Sequence, residues 1–250
     1  MSFQNNISTL QFLNAANIAD TCNYILKEWK KNNFYIVHFM YYASLELIRS
    51  DIKYAEALKK SNIILVDGIG MQMYFKLANN KQMSNLNGTD LSPIMIELLH
   101  KQNIPITFYG TTKEQIQGCN EKLNEQYKTQ VLHYFQDGYT ALNWEHIPDN
   151  SALFIGMGTP LQEEWVNKHF ETIQTKNLFV ITVGGYFDFL SGFYTRAPKL
   201  IRSIKLEWLW RTILHPARHY KKRLRDTTII FRPWLDKIKQ YPKYFNILDI

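Results

Sequence analysis

Apolar residues recur along this chain in two alternating rhythms: short unbroken runs, and longer stretches in which they return every three or four positions. The runs at 34–40 (FYIVHFM), 62–66 (NIILV), 105–109 (PITFY), 131–135, 152–155 (ALFI) and 179–183 (FVITV) predict buried strands. The amphipathic spacing predicts helices at 8–32, 42–60, 71–78, 94–100, 114–127 and 161–172. In the second of these, Leu45, Ile48, Ile52, Ala55 and Leu58 mark one face. Strand–turn–helix units at this cadence predict an α/β fold, a Rossmann-like, mostly parallel sheet with helices on both faces. No internal repeat, low-complexity segment or long linker interrupts it.

Glycine follows several of the predicted strands. Asp67-Gly68-Ile69-Gly70 closes the second, Gly110-Thr111-Thr112 the third, Gly156-Met157-Gly158-Thr159-Pro160 the fifth and Gly184-Gly185 the sixth. In open α/β sheets ligands sit outside these carboxyl ends, and glycine lets the backbone approach them closely. A carboxylate placed there, such as Asp67, can serve as a general base, bind a sugar hydroxyl, hold a metal or cap the next helix. On the residues alone the cap is the simplest reading. No GxGxxG fingerprint, phosphate loop, DxD pair or HExxH motif is present, and the histidines are scattered. Neither a tightly bound metal nor a cofactor is expected.

The chain of 250 residues, 46% of them hydrophobic, suffices for one α/β domain with an appendage or two small domains. Its two cysteines, Cys22 and Cys119, lack metal-ligand or disulfide-framework spacing, which fits a reducing, cytoplasmic setting. The first residues show no secretory leader, and no apolar run is long enough to span a membrane. Charge is uneven: residues 196–250 carry a net +10, residues 1–195 a net −3. Trp208, Trp210, Tyr220 and Trp234 lie among those cations. Pro216 can open a helix on which Arg218, Lys222 and Arg225 share a face. A near-neutral body with a cationic, aromatic end implies an anionic partner there: a nucleotide, a nucleic acid or an acidic membrane surface.

Taken in order, the landmarks resemble the bacterial WecG/TagA/CpsF glycosyltransferase family. The pieces are Asp67-Gly68-Ile69-Gly70, Gly88-Thr89-Asp90-Leu91, the Gly110 turn, the segment from Gly156 to Glu163, Val183-Gly184-Gly185 with Phe187-Asp188, Arg196-Ala197-Pro198, and Leu206-Glu207-Trp208-Leu209-Trp210-Arg211 with Pro216-Ala217-Arg218. The resemblance implies transfer of an N-acetylmannosamine-like sugar from a UDP-sugar donor to a polyprenyl-diphosphate-linked acceptor, for bacterial cell-surface polysaccharide. The implied reaction is inverting and metal-independent, with Asp67 as general base. It further implies substrate or nucleotide contacts from Gly68, Gly110, Gly158, Gln162, Glu163, Gly184, Gly185, Asp188 and Arg196. Arg211, Arg218 and Lys221 would stabilise the leaving diphosphate with backbone N–H groups. Residues 1–195 would form the catalytic domain, and residues 196–250 an appendage that docks on the anionic inner face of the cell membrane and closes over the site. Where the family carries a Thr-x-Asn-type motif this chain has His38-Phe39-Met40-Tyr41-Tyr42, so His38 is expected either to replace a polar contact to the acceptor or merely to pack, with contact slightly preferred. Oligomeric state is left open.

Two rival readings stand beside this one. A nucleic-acid-binding module would use the basic aromatic tail for stacking and phosphate contact, but leaves Asp67 and the Gln162-Glu163 pair without a purpose. A nicotinamide-dependent oxidoreductase is disfavoured by the missing GxGxxG.

Overall fold

The computed structural model describes residues 9–127, 131, 133–198, 201, 207–214, 232–239 and 245–250. Its eight strands form one parallel sheet in the order β5-β4-β6-β7-β2-β3-β1-β8. The strands are β1 (Gln11–Asn14), β2 (Tyr35–Met40), β3 (Ile63–Val66), β4 (Ile106–Gly110), β5 (His133–Gln136), β6 (Ala152–Gly156), β7 (Phe179–Thr182) and β8 (Asn246–Asp249). Every residue of β2, β3, β4, β6 and β7 is buried, as strands covered on both faces must be. The α/β fold read from the alternation is the fold observed.

Helices cover both faces. On one, Val37, Phe39, Leu65, Phe108, Phe154 and Ile181 pack into a single cluster. They meet α1 (Ile18–Asn32), α5 (Gly88–Lys101), α6 (Lys113–Gln126) and the short α9 (Tyr186–Leu190). Cys22 and Cys119 are buried in this cluster as free thiols. The other face holds two clusters. Phe12, Met40, Ile64 and Val66 meet α2 (Ser44–Ser50), α3 (Ile52–Lys59) and α4 (Ile69–Asn79). Ile36, Leu153, Ile155 and Val180 meet α7 (Leu161–Lys168) and α8 (Phe170–Thr175). His38, between Ile36 and Met40 in the alternation, falls at the boundary of those two clusters.

Several elements differ from the sequence reading. The helix expected over 8–32 starts only at Ile18, where Asn17 caps it by accepting from Asp20 N at 2.9 Å. The apolar residues before it extend as β1, paired with β3 and β8. The helix expected over 42–60 breaks at Asp51, whose extended backbone frees its carboxylate to cap α3 through Tyr54 N. The helix expected over 94–100 begins earlier, at Gly88, because Asn87 caps Asp90 N. The helix expected over 161–172 is interrupted at His169. β8 had no counterpart in the sequence reading. It follows α11 (Arg232–Ile238) and lies beside β1, with Phe245 edge-on to Phe12 at 5.7 Å. A further helix, α10 (Glu207–Leu214), lies between α9 and α11 in the chain.

Candidate active site

The carboxyl ends of the central strands carry the glycines that the sequence singled out. Neighbouring strands β4 and β6 are left in opposite directions: the chain passes from β4 to the edge strand β5, but from β6 to β7. Such a reversal opens a crevice at the sheet's carboxyl edge. Gly110, at φ +137°, ends β4 against Gly156 of β6, and a Cβ there would stand 2.5 Å from the Gly156 carbonyl oxygen. Its glycine is therefore explained by strand–strand approach. Gly68, Gly158 and Gly184 are different: all have positive φ, and a Cβ on any of them would meet nothing within 4 Å. Their turns face open space. Gly185 sits over Asp188, whose Oδ2 would be 3.4 Å from an added Cβ.

Asp67 follows β3 directly and is partly exposed, with its backbone N–H donating to Met40 O at 2.9 Å. The next residue, Gly68, donates its N–H to Asn85 Oδ1 at 2.8 Å, and Leu86 N donates to Val66 O at 2.9 Å. The segment ahead of α5 thus clamps the turn that presents Asp67. Sequence reasoning missed Asn85, because it acts across a separation of 17 residues and carries no local motif.

Asp188, nearly buried on α9, accepts from Gln115 Nε2 at 2.8 Å, while Gln115 Oε1 accepts from the Thr111 hydroxyl. The turns after β4 and β7 are joined in this way. Gln115 and Thr111 were also missed. Thr111 lies in the left-handed region at φ +55°, a sign of a built turn that residue type did not announce.

Gln162 and Glu163 open α7 and are 2% and 0% exposed. Gln162 Oε1 accepts from Gly184 N at 3.1 Å, and Gln162 Nε2 donates to Glu163 Oε1 at 2.8 Å. Burial pushes the Glu163 carboxyl up to about 7. His38 is fully buried, its Nδ1 3.0 Å from Thr182 Oγ1, and burial pushes its imidazole down to about 3. A side chain with no exposed surface packs beneath the sheet edge, so the acceptor contact expected of His38 is not what its placement offers.

Arg196 is drawn to α5: its Nη2 lies 2.8 Å from Asp90 Oδ1, and its guanidinium stands 5.9 Å from the Phe189 ring. It borders a groove of about 530 Å³ lined also by Thr89, Lys122, Tyr186 and Tyr194. Arg211 belongs to α10, but its side chain lies outside the described residues, as do Arg218 and Lys221 entirely. Asp67, Gly68, Gly158, Gly184 and Gly185 therefore gather at one sheet edge, with Gln162, Glu163 and Asp188 behind them. Among the described residues, no three His, Cys, Asp or Glu side chains group as metal ligands.

The match to known proteins covers all of these landmarks. The family model described as "Glycosyl transferase WecG/TagA/CpsF family" matches residues 6–243. The chain belongs to this family. As a WecG/TagA/CpsF member it is a glycosyltransferase, and open α/β sheets in general bind ligands outside the carboxyl ends of their strands. Its relatives include an N-acetylglucosaminyldiphosphoundecaprenol N-acetyl-beta-D-mannosaminyltransferase of Bacillus subtilis (strain 168), 33% identical with 77% of each chain covered. Proteins of the same name from Bacillus spizizenii (28% identical, 66% of each chain) and Staphylococcus aureus strain NCTC 8325 / PS 47 (25% identical, 64% of this chain and 65% of the relative) are also similar.

Proposed function

We propose that this transferase moves N-acetylmannosamine, or a closely similar sugar, from a UDP-sugar to a polyprenyl-diphosphate-linked saccharide acceptor. The carrying observation is Asp67: a partly exposed acidic residue at the end of β3, followed by Gly68, whose turn faces open space, on the same carboxyl edge of the sheet as the Gly158 and Gly184 turns. Asp67 takes the proton of the acceptor hydroxyl as that oxygen attacks the anomeric carbon. The new C–O bond forms as the bond to UDP breaks, inverting the configuration, and the diphosphate leaves with the electron pair. Charge growing on it is met by backbone N–H groups of the glycine turns and by Arg211, Arg218 and Lys221 of the basic tail, so no metal ion is required. The acceptor named for the relatives supports this reading.

A lipid-linked acceptor brings the enzyme to the membrane surface on the cytoplasmic side. Among the described residues no helix is long and apolar enough to cross a bilayer, and the cationic appendage, 196–250, suits a peripheral contact with anionic lipid. The test is transfer itself: UDP-N-acetylmannosamine and polyprenyl-diphosphate-linked N-acetylglucosamine, with and without EDTA. Disaccharide formation that EDTA leaves unchanged is expected. No product with any UDP-sugar would defeat the donor assignment, and abolition by EDTA would defeat metal independence.

A further inference from the structure

The pair Gln162-Glu163 sits too deep to touch a substrate, yet its hydrogen bonds all lead to the site's turns. Glu163 Oε1 accepts twice, from Gln162 Nε2 at 2.8 Å and from Thr159 Oγ1 at 3.1 Å. Thr159 belongs to the turn after β6 that contains Gly158. Gln162 in turn accepts from the N–H of Gly184, in the turn after β7, at 3.1 Å. Glu163 and Gln162 together therefore link the turn of Gly158 to the turn of Gly184, and Gln162 Nε2 also reaches Thr159 Oγ1 directly at 3.5 Å.

The direction of the amide is what matters. A Gln side chain presents an acceptor on one side and a donor on the other. With Nε2 toward the carboxylate, Oε1 must face Gly184 N–H. Flipped, it would set oxygen against carboxylate and N–H against N–H, losing both contacts. We propose that Glu163 is a positioning residue for the transfer reaction: it fixes the orientation of the Gln162 amide, and through it the Gly184-Gly185 turn that faces the leaving diphosphate. This rests on the proposed function for its catalytic consequence, but the relay itself is a property of the fold. Neutralising Glu163 is tolerated by this design, because an amide at 163 still offers an acceptor oxygen at the Oε1 position. Removing it is not.

Four variants separate the cases: Glu163→Gln, Glu163→Ala, Gln162→Ala, and Gln162→Ala combined with Glu163→Ala. Two readouts are taken on each folded protein: amide hydrogen exchange at Gly184, and kcat and KM for transfer. Glu163→Ala is expected to speed Gly184 exchange and to lower kcat roughly 100-fold, the scale of a misplacement of about 1 Å. The KM of the acceptor should stay within about threefold. Glu163→Gln should hold both readouts within about threefold of the parent, and the double variant should lose no more than Gln162→Ala alone, as residues acting in one unit do. Normal kcat in folded Glu163→Ala overturns the proposal. So does equal damage from Glu163→Gln, or losses that multiply in the double variant. Should Glu163→Ala not fold, Gln162→Ala carries the same test: unchanged Gly184 exchange or unchanged kcat contradicts the relay. Should the parent transfer no sugar, the proposed function fails, while Gly184 exchange still decides whether the relay exists.

Discussion

Glu163 and His38 are both fully buried, and their titrations pull stability in opposite directions. Glu163 has its carboxyl raised from an ordinary 4.5 to about 7, chiefly by burial. As pH falls from about 7 toward 4.5, the folded state takes up this proton before the unfolded chain does. Its contribution is therefore largest below 4.5 and is lost as pH rises through 7. His38 is lowered by burial from 6.5 to about 3, so the unfolded chain is protonated first and stability is lost as pH falls below 6.5. Glu163→Gln isolates the first effect. Thermal denaturation should find this variant more stable than the parent at pH 8, with the difference shrinking toward pH 5. An advantage that grows on acidification would contradict the buried-carboxylate account. The family resemblance singled out Gln162-Glu163 as a polar pair at the site, but not its depth. That depth comes from α3 packing across α7, and Tyr54 of α3 interacts electrostatically with Glu163.

At the scale of elements, α11 is amphipathic in the reverse of the usual sense. Two of its charged residues, Asp236 and Arg232, face inward, while Lys237 is exposed: Asp236, 2% exposed, lies 2.5 Å from Arg49 Nη2 and accepts from Tyr74 OH at 2.7 Å. Arg232 forks onto both oxygens of Glu46 at 2.8 and 2.7 Å. Its apolar residues face outward, with Trp234 70%, Leu235 49% and Ile238 69% exposed. The helix is thus stitched to α2 and to α4, the helix that begins just after Asp67, and presents an apolar side suited to the headgroup layer. Breaking a buried ion pair on one side strands the other charge, at a cost of about 3–5 kcal/mol. Arg49 keeps Glu46 at 2.8 Å, so Asp236→Ala should cost about 3 kcal/mol in urea denaturation. A loss below about 1 kcal/mol would mean that the Arg232–Glu46 fork alone holds the helix. Most elements were legible in the sequence because buried parallel strands read as unbroken apolar runs. Those that were not depend on partners remote in the chain. β1 and β8 extend because each lies beside a strand, and α11 shows no inward apolar stripe because its inward contacts, Pro233 apart, are ionic.

At the scale of the whole molecule, one parallel sheet gathers the glycine turns at a single edge. The segment that departs at Arg196 returns to the same body as α11 and β8. Strand ends and glycines foretold the edge. The bracing by Asn85 and Gln115 did not show in the sequence, because each acts on a group remote in the chain; Thr111 supports Gln115 locally, from a left-handed backbone that its residue type does not announce. Asn85 holds the turn that presents the Asp67 carboxylate, and the proposed reaction turns on that group. The decisive measurement compares the parent with Asp67→Asn in two ways: UDP dissociation constant and single-turnover transfer rate. The account predicts an unchanged dissociation constant and a transfer rate reduced by a factor on the order of 10²–10⁴, the usual worth of a general base. An undiminished rate, or UDP binding and transfer lost together, would contradict it.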